Sequence, residues 1–127
     1  MDNCIFCEQN LRDSGRIVLE NESWLAIFDN FPVTLGHSLI ISKRHQLDWW
    51  KLTKKEQDDF WDIRDSLKDM LDKKYRPAAY NVGINMGGIK AGQTVMHLHV
   101  HVFPEYNDNP APRGGIRNFR KPLVEYP

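Results

Sequence analysis

Three histidines alternate with apolar residues in Val95-Met96-His97-Leu98-His99-Val100-His101-Val102-Phe103. Read as one β-strand, this run puts His97, His99 and His101 on a single face at ~6.7 Å intervals, with Leu98, Val100 and Val102 on the opposite, core-facing side. Each imidazole brings two polar nitrogens that need partners, so three in register are poor packing material. Near neutrality such a group can act as nucleophile, general acid or metal ligand. The segment Asn85-Met86-Gly87-Gly88-Ile89-Lys90-Ala91-Gly92-Gln93-Thr94 delivers the chain into this strand. Its glycines allow close backbone approach, and its amides, with the Gln93 amide and the Thr94 hydroxyl, suit phosphate oxygens. Phosphate held against an imidazole implies attack on phosphorus to form a phosphoramidate, a neighbouring histidine donating to a non-bridging oxygen. A second constellation is Cys4-x-x-Cys7, which holds both cysteines of the chain. The spacing suits a metal chelate, the favoured reading over two simply buried thiols. A redox pair is disfavoured because no βαβ context surrounds it.

The elements that must position these groups follow from pattern. Arg16–Glu20 and Trp24–Phe28 read as two short strands joined by the turn-prone Asn21-Glu22-Ser23, a hairpin. Asp29 to Gly36, with Pro32, reads as a loop, and Ser38–Ser42 as a third strand. Thr53-Lys54-Lys55-Glu56 is a capping box that opens a helix. Phe60, Ile63, Leu67, Met70 and Leu71 form its apolar stripe, and the lysines and aspartates opposite read as a solvated surface. Pro77 ends that helix, Tyr80–Asn85 is a fourth strand, and the histidine run is the fifth. Strands outnumber helices and several connections are too short for crossovers, so the expected class is an antiparallel α+β domain.

Composition sets broad limits. The 127 residues suit a single domain, and Lys plus Arg equals Asp plus Glu at 17 each, so no global field favours nucleic acid or a membrane. No apolar run reaches transmembrane length, and the start lacks a signal-peptide pattern. A cytoplasmic location and reduced thiols are the expectation.

The run from Gly92 to Phe103 resembles the signature of the histidine triad (HIT) superfamily of nucleotide hydrolases and transferases. Cys4-Ile5-Phe6-Cys7 resembles the opening of that family, and Asp29 with Pro32 and Gly36–His45 resembles its middle segment. Pro112–Arg117 is similar to a tail of bacterial members described as diadenosine polyphosphate hydrolases. The resemblance implies a five-stranded antiparallel sheet with one main helix and a shorter one, continued across a two-fold dimer. It implies His99 as the nucleophile that becomes nucleotidylated, its other ring nitrogen held by a backbone carbonyl. His101 would donate to a phosphate oxygen and His37 would support the site. Gly92, Gln93 and Thr94 would hold the phosphate and leaving-group oxygens, Asn85 the α-phosphate or ribose side, and Asp29 the ribose hydroxyls. Cys4, Cys7, His45 and His97 would bind a structural zinc ion, with no organic cofactor. Trp49, Trp50 and Trp61 are candidates for the dimer contact or for core packing. The irregular tail, residues 107–127, would lie near a site mouth and help select the leaving group.

One departure stands out. Pro104 is followed by Glu105, where many relatives carry arginine, and a carboxylate facing the site would repel a polyphosphate chain, although Arg113, Arg117, Arg120 and Lys121 in the tail could compensate or serve solubility alone. The expected function is hydrolysis or transfer at the α-phosphate of a nucleoside phosphate conjugate or dinucleoside polyphosphate. The competing readings are a nucleotide-binding regulator with little turnover and a metal-dependent enzyme that uses the triad as its ligand set.

Overall fold

In the computed structural model, residues 4–108 and 115–116 are described. The first hairpin is set by one side chain: Asn21 Oδ1 accepts the backbone N–H groups of Ser23 (3.1 Å) and Trp24 (3.0 Å). This Asx turn reverses the chain between β1 (Ile17–Glu20) and β2 (Trp24–Phe28). With β3 (Ser38–Ser42), β4 (Ala79–Ile84) and β5 (His99–Glu105) they form one antiparallel sheet in the order β1-β2-β3-β5-β4. The shorter helix, α1 (Glu8–Ser14), precedes the sheet, and the long helix, α2 (Lys54–Tyr75), crosses from β3 to β4.

Both faces of the sheet are covered. On one, Trp24, Ala26, Ile40, Val100 and Val102 pack against Phe60, Ile63, Leu67 and Leu71 of α2. That stripe recurs at helical spacing, and the capping box at Thr53 and Glu56 starts the helix as the sequence implies. Trp24 Nε1 donates to the Glu56 carbonyl at 2.7 Å, tying sheet to helix inside this core. Trp49 belongs to it too, its ring 4.9 Å from Phe60, whereas Trp50 and Trp61 are exposed. On the other face Phe6, Leu11, Leu25, Ile27, Leu39 and Ile41 form a second, smaller core beneath α1. Leu39 lies opposite His101 and Ile41 opposite His99, so the histidines of β5 occupy this second face. No helix among the described residues is long and apolar enough to cross a membrane.

The histidine strand is shorter than its alternation predicts. It begins at His99, and His97 lies outside the ladder. The His97 N–H turns back to the Val95 carbonyl at 2.8 Å, and Leu98 N–H reaches Gln46 O at 2.6 Å. These local bonds satisfy the backbone of the bend, so the three histidines are not one regular strand face. Of the tail, only residues 107–108 and 115–116 lie within the described region, so its expected role near a site mouth, and the Pro112–Arg117 segment apart from residues 115–116, lie outside it.

Gly36, immediately before His37, has φ +85°, and a Cβ there would stand 2.9 Å from Tyr75 Cδ2 and 3.3 Å from Pro104 Cγ. Gly36→Ala combines a left-handed backbone with a steric overlap on α2. It should lower unfolding stability by about 1–3 kcal/mol. The urea midpoint reads this directly, and an unchanged midpoint would show that Tyr75 moves aside freely.

Candidate functional site

Hydrogen-bond partners assign the proton on each imidazole. His99 Nδ1 lies 2.7 Å from the backbone carbonyl of His97. A carbonyl only accepts, so Nδ1 carries the hydrogen and Nε2 keeps its lone pair. His37 Nδ1 accepts the backbone N–H of Val33 at 3.3 Å, which leaves the hydrogen on His37 Nε2. That nitrogen donates to His101 Nδ1 at 2.9 Å. His101 therefore presents Nε2–H. A nucleophilic nitrogen and a hydrogen-bond donor thus sit on adjacent same-face positions of β5, their ring centroids 5.2 Å apart.

Burial favours the neutral form of His37 and His101. Desolvation lowers the pKa of His37, with the neighbouring Asp29 pulling the other way. It pushes His101 down to about 4, helped by repulsion from His99 and His37 and opposed by Asp29. Asp29 Oδ2 stands 3.5 Å from His37 Nε2, and Asp29 Oδ1 accepts the Phe31 N–H at 2.8 Å. Phe103 completes the support, its ring 4.3 Å from His37.

The glycine segment folds around Gln93, which is almost wholly buried. Its Oε1 accepts Gly88 N–H at 2.9 Å, while its backbone N–H returns to Gly88 O at 3.1 Å. Gly88, at φ 98° and ψ −155°, holds a conformation open to glycine alone. Asn85 Nδ2 donates to Ala91 O at 2.8 Å, closing the turn that carries Gly92. The Gln93 Nε2 group is buried without a hydrogen-bond partner among the described residues, and Thr94 is exposed. A buried amide of this kind costs roughly 1–3 kcal/mol unless an acceptor meets it. The loop amides and this side chain are chemically suited to phosphate oxygens.

Cys4, Cys7, His45 and His97 converge, their four ligand atoms all within 4.8 Å of one another. Cys4 Sγ is 3.4 Å and Cys7 Sγ 3.8 Å from His97 Nδ1, and Cys7 Sγ is 3.3 Å from His45 Nδ1. Ideal tetrahedral zinc bonds to one sulfur and one nitrogen separate those atoms by about 3.5–3.6 Å, so the donor set has the right size. His97 Nε2 donates to Ser42 O at 2.6 Å, which leaves Nδ1 bare toward the cysteines, as a neutral ligand requires. Phe6 was not among the expected site residues. It lies between the two cysteines and sets its ring against His99, centroids 5.0 Å apart. Its placement inside the Cys4–Cys7 segment was the available signal. The Val33 amide had none.

Two measurements follow. Purified protein should contain about one zinc per chain, and Cys4→Ser or strong chelation should remove it and lower the thermal midpoint by roughly 5 °C or more. Metal-free protein with the same midpoint would return the cysteines to simple buried thiols. The depressed histidines set a pH trend. An unfolded histidine protonates near 6.5, whereas folded His101 stays neutral down to about 4. Between those values the unfolded chain binds more protons, so stability should be full above pH 6.5 and fall as pH drops toward 4. Denaturant midpoints that stay flat from pH 7.5 to 4.5 would contradict the buried neutral pair.

The family description "HIT domain" matches residues 11–108. An uncharacterized 16.1 kDa HIT-like protein of Mycoplasma pneumoniae is 37% identical over 111 residues, spanning 83% of this chain and 73% of that protein. A Zn-bound histidine triad family protein from Mycobacterium smegmatis superposes with a TM-score of 0.73 at 29% identity, covering 85% of this chain and 78% of the other. A hypothetical histidine triad nucleotide-binding protein from Sulfolobus tokodaii superposes with a TM-score of 0.74 at 27% identity, covering 84% and 71%. With its sheet order, its histidine pair and this match over most of its length, the chain belongs to the HIT family.

Proposed function

We propose that this protein is a nucleotide hydrolase or nucleotidyltransferase acting at the α-phosphate of a nucleoside phosphate conjugate or dinucleoside polyphosphate. The observation that carries the reading is the His99 Nδ1–H fixed on the His97 carbonyl, which in the neutral ring leaves the lone pair on Nε2. In the first step Nε2 bonds to phosphorus as the bond to the leaving group breaks, and the departing atom takes up a proton. His101 Nε2–H donates to a non-bridging oxygen as charge builds there. Water then adds its hydroxide to phosphorus as the Nε2–phosphorus bond breaks, and its other proton returns to solvent in place of the one the leaving group took up, which releases a nucleoside monophosphate and returns His99 to its Nδ1–H form. Gly92, Gln93 and Thr94 hold the phosphate in this scheme, Asn85 shapes their loop, and Asp29 takes the ribose. Cys4, Cys7, His45 and His97 hold a structural zinc ion, which would supply a cross-link between the N-terminus and the bend before β5. The Zn-bound and nucleotide-binding relatives support these two assignments.

Pairing of two copies through β4 belongs to the same reading. β4 is an edge strand, and Val82 on it and Trp61 on α2 are both exposed apolar groups. The competing reading has the triad itself hold a catalytic ion, but His97 groups with the cysteines, and the histidine that does converge with other ligands here is His101, with Asp29 and His37, their ligand atoms within 4.8 Å of one another. It needs the lone pair of His101 Nδ1, which accepts from His37 instead.

A nucleoside phosphate conjugate should leave a nucleoside monophosphate on His99, detectable by mass spectrometry after rapid quenching. His99→Ala should cut turnover by about 10³-fold or more while leaving nucleoside monophosphate affinity within about tenfold. Turnover retained within tenfold would exclude His99 as nucleophile.

A further inference from the structure

A groove of about 1130 Å³ opens on the histidine face, floored by β4 and β5 and lined by His101, Phe103 and Glu105. These three residues share one face of β5 with His99, so the Cα of Glu105 lies about 13 Å beyond that of His101. Phe103 lies between them, stacked on His101 with centroids 5.5 Å apart, and Gly83, paired with His101 across the ladder, adds no side chain to the floor there. Ile116 Cδ1 stands 3.9 Å from where a Gly83 Cβ would be and walls that stretch of the groove.

Glu105 is held in place, since Asn81 Nδ2 donates to its Oε2 at 2.8 Å. Among the described residues no cation pairs with this carboxylate. Lys90 also lines the groove, but it follows β4 on the glycine segment, beyond the Ile84–Val100 pair. Glu105 pairs with Ala79 at the opposite end of β4. Among the described residues the groove is therefore polarised along the strands, with a cation beside the phosphate loop and a carboxylate at the far end.

We infer that this groove receives the leaving group, and that Glu105 selects leaving groups ending in a cationic ammonium or guanidinium roughly 8–12 Å from the scissile phosphorus. The inference rests on the proposed reaction at the α-phosphate and adds the chemical class of what departs. A carboxylate oriented by a neutral amide favours a charge-assisted hydrogen bond with such a cation. It disfavours a terminal anion of the same length.

Three adenosine 5′-phosphoramidates with alkyl chains of equal length test this, ending in an ammonium, a methyl or a carboxylate. The wild-type protein should prefer the ammonium over the carboxylate by about 30–100-fold in kcat/KM, mostly through KM. Glu105→Gln, which keeps an acceptor for Asn81, should compress that ratio to about threefold. Glu105→Lys should invert it. Because the readout is a ratio, a partly unfolded variant does not distort it. Turnover of all three at similar rates by wild type, or an unchanged ratio in Glu105→Gln, overturns the role of Glu105 and leaves the reaction standing. No turnover and no adduct on His99 with any of them overturns both.

Discussion

The 2.7 Å hydrogen bond from His99 Nδ1 to the His97 carbonyl is the constraint around which this face of the protein is built. For that carbonyl to face its neighbour two residues along, the chain must leave the extended conformation at His97. A regular strand would send its carbonyls sideways into the ladder. The bend is held from several directions: His97 N–H to Val95 O, Leu98 N–H to Gln46 O, and Ser42 N–H to Leu98 O. The His97 side chain adds a fourth tie through Nε2 to Ser42 O and turns Nδ1 toward Cys4. One residue thus serves two sites, its carbonyl fixing the His99 ring and its imidazole joining the cysteine cluster.

The second half of the site works by a chain of donors. Val33 N–H, His37 and His101 are linked so that each ring's proton is dictated by the one before it. The chain depends on the rings being neutral, because a protonated imidazole has no lone pair with which to accept. Two effects compete over that state: desolvation, which disfavours charge, and Asp29, which favours it. Desolvation is the larger for both His37 and His101. Asp29 is therefore not strong enough to make the pair cationic, and His101 presents Nε2–H as a neutral donor.

Much of this was legible in the residues. Hairpin, capping box, helix stripe and sheet class follow from local chemistry, and His99, His101 and the glycine segment from their types and spacing. The start of β5 was not, because Val95 to Phe103 alternates with the same period whether or not a partner strand is present. The ladder with β3 begins at the Ile41–His99 pair, and nothing in the histidine run records where its partner stops. The position of α1 was hidden for another reason. It has seven residues and buries only Leu11, which is too little to show a period. The groove depends on Gly83, Asn81 and Glu105 meeting across β4 and β5, a pairing register that neither segment states alone. Glu105 stood out in the sequence only as a departure from relatives, and the register gives that departure a location.

Why the sheet can hold such a site follows from its two cores. β3 is buried along its whole length, with Ile40 facing α2 and Leu39 and Ile41 facing α1. A strand packed on both faces cannot slide by one residue without exchanging its two apolar sets, so its register with β5 is strongly determined. His37 immediately precedes this strand, and the Ser38–Val102 and Leu39–His101 pairs carry its ring to His101. The exposed i,i+4 ion pairs along α2, such as Lys54–Asp58 and Lys68–Asp72, add only tenths of a kcal/mol each. Register is set by apolar burial, and apolar burial therefore sets the 2.9 Å contact between two histidines that lie 64 residues apart in the chain.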